Sequence, residues 1–189
     1  LKAGAVFTII SPTIKVEKLL YTLNNSGAKV LITDSQKLAR IQSCMGDTTE
    51  LEAVLVAAKR GEQFENGLKR MAAWDTLMAN HSGRVQPPPK QGIDIDMATL
   101  IYTSGSTGNP KGVILTHLNM VAAATSVISY LENTSDDVIL NVLPLSSSYG
   151  LYQVLTGLKI GGTVVLEQSF TYPHAALQRM MDERVTGLA

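Results

Sequence analysis

The chain has 189 residues, 45% of them hydrophobic but only 5% aromatic, and its 16 basic residues are balanced by 16 acidic ones. That is material for one ordinary domain or two small subdomains around an aliphatic core. Nucleic-acid binding would require a basic excess or stripe and membrane spanning a long apolar run; the sequence has neither, and no signal-peptide pattern opens these residues.

The first elements alternate between strand and helix. Residues 5–10, AVFTII, form a short β-branched run closed by Ser11 and Pro12, which predicts a buried strand. Val16, Leu19, Leu20 and Leu23 follow at helical spacing, with Gly27 placed as a helix-ending glycine. Residues 29–33 predict a second buried strand, Asp34 or Ser35 a cap for a helix running to Ile41, and residues 51–57 a third strand. Strands separated by helices predict parallel βα units.

Residues 59–91 are less regular. Leu68, Met71 and Ala72 suggest a helix, with Trp74 and Leu77 near the same face. The run Gln86-Pro87-Pro88-Pro89-Lys90 fits neither a helix nor a central strand. The expected organisation is a first α/β piece over 1–85, a proline-rich connector over 86–96 and a second α/β piece over 97–189.

In that second piece, residues 98–102 predict a strand, a Gly/Ser/Thr-rich loop follows, and residues 113–115 return as a strand. A long helix is expected over 119–131, a strand over 138–143, a helix over 151–158, a turn at Gly161 and Gly162, and a strand over 163–166. Pro173 suits the first position of a last helix, which Met180 and Met181 would close on its apolar face. The fold class expected is α/β, with mostly parallel sheets flanked by helices. Cys44, the only cysteine, excludes an internal disulfide and fits a reducing, cytoplasmic location; with no histidine motif around it, it reads as structural. The chain opens on Leu1 inside what reads as a structured element and closes on an apolar-leaning run, so an internal portion of a longer protein is expected.

Chemistry concentrates in one loop. Residues 102–112 read Tyr-Thr-Ser-Gly-Ser-Thr-Gly-Asn-Pro-Lys-Gly. Gly105, Gly108 and Gly112 permit close backbone approach, and Thr103, Ser104, Ser106 and Thr107 supply four hydroxyls. Successive amides in such a turn can converge on an anion, and Lys111 adds a compact charge, so a triphosphate is a natural guest. A solvated linker would share the Gly and Ser content, but not a position between two buried strands. The P-loop does not fit, because counting from Gly105 puts Pro110 where its second glycine belongs. Neither the dinucleotide fingerprint nor a Gly-x-Ser-x-Gly elbow is present.

Residues 100–117, LIYTSGSTGNPKGVILTH, closely resemble the phosphate-loop signature of the adenylate-forming superfamily. That group includes acyl-CoA synthetases, the adenylation domains of peptide synthetases, and luciferases. Residues 1–6 with Ser11 and Pro12, the AKVLITD of residues 28–34, Leu143-Pro144-Leu145 with Tyr149-Gly150-Leu151, and Gly161-Gly162-Thr163 resemble further segments in family order. The resemblance is dense at the loop and thin between 36 and 95.

The resemblance implies a parent enzyme that joins a carboxylate to AMP, releases pyrophosphate and passes the acyl group to a thiol. Thr103, Ser104, Gly105, Ser106, Thr107, Gly108 and Lys111 would hold the β- and γ-phosphates of ATP, with Mg²⁺ sharing the charge. CoA would be the co-substrate, and a fatty or other acyl acid the substrate. A carrier-protein thiol is the alternative acceptor, and a non-catalytic nucleotide-binding module the alternative of another kind. The family's Tyr-Gly-x-Thr-Glu and Thr-Gly-Asp segments and its C-terminal catalytic lysine have no counterpart in these residues. No catalytic residue is therefore expected within the chain, which alone should not complete adenylation.

After Leu143-Pro144-Leu145 many acyl-CoA synthetases carry an aromatic residue and a histidine; this chain has Ser146, Ser147 and Ser148. No Asp lies between 143 and 150 to pair with an amino-acid ammonium, which disfavours an amino-acid substrate. Ser147, Tyr149 and Gly150 are candidate pocket residues, with small Ser147 in place of a bulky gate; a surface serine run is the alternative. His117 would cap the long helix or touch a phosphate. His81 and His174 fall in polar loops without ligand spacing, so no metal site is expected. Glu132, Asp136 and Asp137 read as a solvated turn rather than an acid–base pair.

Overall fold

The computed structural model describes residues 1–58, 70–80, 86, 89, 92–103 and 108–188. Helix α1 (Val16–Ser26) buries Leu19, Thr22 and Leu23, and it stops where Gly27 turns left-handed, at φ 61°, its amide reaching back to the last helical carbonyls. Strand β1 (Val30–Asp34) follows, and the Asp34 carboxylate accepts the Lys37 amide at 2.8 Å, starting α2 (Ser35–Ile41). After a 3-10 turn over Gln42–Asp47 come β2 (Ala53–Ala57), β3 (Arg70–Ala73) and α3 (Trp74–Asn80).

These three strands form a parallel sheet in the order β1-β2-β3. Val54 and Val56 of its central strand lie wholly buried against Leu19, Leu23, Leu38, Ile41, Met45 and Leu51. Two expectations fail here. The strand over 29–33 is not buried: Val30 and Ile32 are exposed, and among the described residues β1 is an edge strand of its sheet. Met71 and Ala72 do not open a helix but lie in β3, where parallel pairing with β2 overrides the local pattern; Leu68 lies outside the described residues.

Strands β4 (Met97–Thr103) and β5 (Lys111–Thr116) pair antiparallel, the one antiparallel pair among the described residues. Helix α4 (His117–Leu131) leads to β6 (Val138–Asn141), α5 (Ser148–Ile160), β7 (Thr163–Leu166), α6 (Pro173–Asp182) and the short β8 (Gly187–Leu188). The last sheet is parallel, in the order β7-β6-β8. Pro173 opens α6 as expected. Met181, however, points to solvent, and Ala176 is the buried residue of that helix.

The expected strand over 5–10 reduces to a single bridge. Phe7 pairs with Thr99; its amide donates to Ala98 O at 3.2 Å, and its carbonyl accepts the Leu100 amide at 3.0 Å and the Thr99 hydroxyl at 2.7 Å. Phe7 and Ile9 pack on Ala98, Met120 and Leu151, so contacts cross from the N-terminal segment to residues beyond the proline-rich stretch. Of that stretch Pro87, Pro88 and Lys90 lie outside the described residues. No helix among the described residues is long and apolar enough to cross a membrane.

Candidate phosphate-binding site

The hairpin of β4 and β5 carries the loop singled out above. Its last pairs are Tyr102 with Gly112 and Thr103 with Lys111, so both ends of the phosphate-loop string are held in one ladder. The Thr103 hydroxyl donates to Lys111 O at 3.5 Å, a long bond that leaves the hydroxyl easily redirected. Gly108 sits at φ 101°, a conformation that a side chain would strain. Pro110 is buried, while Lys111 is exposed and makes no ion pair among the described residues. Ser104, Gly105, Ser106 and Thr107 lie outside the described residues.

The far end of the hairpin is anchored by the start of α4. Thr116 accepts the Asn119 amide at 3.1 Å, and the Asn119 side chain accepts the Thr116 amide at 3.0 Å, a reciprocal cap. The cap is thus Thr116 and not His117, because a hydroxyl one residue before the first helical turn reaches its free amides. His117 is the first helical residue, and its amide donates to Asp96 O at 3.1 Å.

Sequence reasoning passed over Tyr102 and Asn141. The Tyr102 hydroxyl donates to Asn25 Oδ1 at 2.7 Å, and burial raises its pKa above the ordinary tyrosine value. Asn141, only 1% exposed, ends β6. Its amide group donates to Gly150 O at 3.1 Å, and its oxygen accepts the Leu143 amide at 3.0 Å, which fixes the turn into α5. A polar residue closing an apolar run just before Leu-Pro was the available signal.

Of the three pocket candidates, Ser147 caps α5: its hydroxyl accepts the Gly150 amide at 3.1 Å and donates to Pro144 O at 2.9 Å. Gly150 is buried where a methyl group would lie 2.4 Å from Pro144 O. Tyr149 is 61% exposed. No hydrogen bond among the described residues joins these three to Thr103, Gly108 or Lys111. A cavity of about 250 Å³ opens nearby at the carboxyl ends of β6 and β7, lined by Asn141, Leu143, Pro144, Leu145, Leu166 and Glu167.

His174 lies in the first turn of α6 rather than in a loop, since Pro173 starts the helix one residue earlier; His81 lies outside the described residues. Among the described residues, no group of three or more His, Cys, Asp or Glu could hold a metal ion. Glu132 takes a left-handed conformation that ends α4. Asp137 accepts the Thr134 amide at 2.7 Å, the Thr186 hydroxyl at 2.7 Å and the Asn133 side chain at 3.3 Å, and these donors hold its carboxyl below the usual range.

The sequence profile of the AMP-binding enzyme family matches residues 1–189. The chain belongs to that family. It is 33% identical over 193 residues to 4-coumarate–CoA ligase 3 of Arabidopsis thaliana, covering 97% of this chain and 32% of that protein. Against feruloyl-CoA synthase of an Amycolatopsis species, identity is 35% over 188 residues, covering 98% and 33%. The crystal structure of an anthranilate CoA ligase in complex with anthranoyl-AMP matches with a TM-score of 0.83 at 23% identity, covering 99% of this chain and 35% of that one. The α/β fold is therefore that of this CoA ligase, and the chain spans about a third of the length of the two curated relatives named.

Proposed function

We propose that this chain supplies the ATP-gripping part of an AMP-forming acid–thiol ligase, which makes an acyl adenylate and then an acyl-CoA thioester. The observation that carries the reading is the β4–β5 hairpin, which holds Thr103 and Lys111 side by side at the mouth of the phosphate-loop string, with the lysine exposed and in no ion pair among the described residues. The acid's carboxylate would attack the α-phosphorus of ATP, the bond to the α–β bridging oxygen would break, and pyrophosphate would leave. The thiol would then attack the acyl carbon and release AMP. In the first step Lys111 would neutralise charge that grows on the departing pyrophosphate, and the hydroxyls of Thr103, Ser104, Ser106 and Thr107 would hold its oxygens. Gly105 and Gly108 would let the backbone approach.

Mg²⁺ has no cage of its own in the described residues. Tyr149 is the pocket candidate whose side chain is free to meet an acid, whereas Ser147 and Gly150 would shape the wall through α5. The names of the two relatives make arylpropenoic acids the first choice, alongside fatty acids.

The test is acid-dependent ATP–pyrophosphate exchange by the full-length protein, with 4-coumarate, ferulate and medium- and long-chain fatty acids. Exchange with at least one acid, followed by thioester formation with free CoA, is expected. Thioester on a carrier protein but not on CoA would move the acceptor; ATP binding without exchange for any acid would make the chain part of a nucleotide-binding module. The 189-residue chain alone is expected to make no acyl adenylate.

A further inference from the structure

We propose that Tyr102 is a positioning residue for the phosphate grip, held from outside the hairpin by Asn25 at the end of α1. The proposal rests on the ATP-binding reading above. Tyr102 occupies the pair just below the Thr103–Lys111 pair, directly opposite Gly112. Its ring takes up the room of the missing side chain there: a Cβ at 112 would stand 3.2 Å from the ring's Cζ and 3.4 Å from Cε1. An aromatic ring laid across a cross-strand glycine in this way gives the pair a side-chain contact it would otherwise lack. The hydroxyl at the far edge of the ring then donates to Asn25 Oδ1 at 2.7 Å, across 77 residues of sequence.

Asn25 is itself well placed to act as a post. It sits in the last turn of α1, and that helix is closed two residues later by left-handed Gly27 and anchored in the core through Leu19 and Leu23. The hairpin needs such a post because a two-stranded ribbon is only marginally stable by itself. Among the described residues β5 pairs with β4 alone. Thr103–Lys111 is the last pair of the ladder before the loop, and where that pair opens the aim of the lysine ammonium is lost. The ring and its hydrogen bond act on the next pair inward and resist this. Burial raises the Tyr102 pKa, so the hydroxyl keeps the proton it donates throughout the physiological range.

The test compares Tyr102→Phe, Asn25→Ala and their double variant in the full-length protein, with Asn25→Asp as the conservative change that keeps an oxygen acceptor. Two quantities are read: ATP affinity by calorimetry together with KM and kcat in pyrophosphate exchange, and amide hydrogen exchange over residues 97–103 and 111–116. Losing one intramolecular hydrogen bond should weaken ATP binding about 3- to 10-fold. KM for ATP should rise accordingly, kcat at saturating ATP should stay within about twofold, and amide exchange should quicken at Thr103, Lys111 and Gly112. The double variant should be no worse than either single one, and Asn25→Asp should retain wild-type affinity. Asn25→Ala with unchanged ATP affinity and unchanged amide exchange overturns the proposal, as does a fall in kcat with ATP KM unmoved. If the wild type exchanges pyrophosphate with no acid, the ligase reading fails, while the amide-exchange comparison still decides the role of Tyr102.

Discussion

Replacing Gly150 with Ala puts the turn between β6 and α5 to a quantitative test. A methyl group there would lie 2.4 Å from Pro144 O and 2.9 Å from Leu143 O. Ordinary carbon–oxygen approach is about 3.3 Å, and the obstacle is backbone, so no rotamer change relieves it. Either the segment before α5 shifts or the first helical turn opens. Overpacking of this kind costs about 1–3 kcal/mol. Movement would also lengthen the Asn141–Gly150 bond inside a buried site, and an unsatisfied buried amide costs about 1–3 kcal/mol. Against this, Ala gains at most about 1 kcal/mol over Gly in a helix. The net expectation is a loss of about 3 kcal/mol, or roughly 6–12 °C in Tm by calorimetry. Gly161→Ala is the control: its φ of 76° strains a side chain, but nothing lies within 4 Å, so about 1 kcal/mol is expected. Gly150→Ala within a degree of wild type, or Gly161→Ala the worse of the two, would refute the reasoning.

Thr116→Ala removes one half of the reciprocal cap on α4 and should cost about 1 kcal/mol, seen as a lower urea midpoint at unchanged slope. Asp137 is more acidic in the fold than in the unfolded chain, because the Thr134 amide, then the Thr186 hydroxyl and the Asn133 side chain, donate to its carboxylate. Its contribution should therefore be fully present above the ordinary carboxylate pKa and fade as pH falls through the folded value. The stability gap between wild type and Asp137→Asn should accordingly be flat from about pH 5 to 8 and shrink below about pH 4. Asp34 shifts the same way, its largest cause being the Lys37 ammonium at 2.6 Å, so Lys37→Met should raise its titration midpoint as followed by carboxyl NMR shifts.

Local signals were legible where one or two residues decide the backbone. Gly27 ends α1, Asp34 starts α2 and Pro173 starts α6, each through its own dihedral or side-chain oxygen. The string over 102–112 stands out as a candidate because glycines, hydroxyls and a lysine concentrate there. What sequence reasoning missed depends on partners far along the chain. The antiparallel pairing of β4 with β5 is a tertiary choice that strand propensity does not encode, and Arg70–Ala73 is too short to outweigh its helix-like composition. Residues 29–33 are as apolar as a buried strand, yet Val30 and Ile32 are exposed, because among the described residues β1 lies at the edge of its sheet. The same holds within the site. Ser147 looked like a gap in a substrate pocket, and its hydroxyl is engaged in capping α5 because the Pro144 carbonyl and the Gly150 amide both come within reach. Tyr102 and Asn25 carry no signal at a separation of 77 residues.

The central claim is that this hairpin grips the phosphates of ATP, and Lys111 is where it is most exposed to test. ATP–pyrophosphate exchange by the full-length protein, with the best acid of the panel, should fall on the order of 10²-fold in Lys111→Ala, the loss typical of removing one charge-stabilising donor. Lys111→Arg should recover part of it, since the charge is kept but the compact ammonium is not. Exchange undiminished in Lys111→Ala would contradict the account.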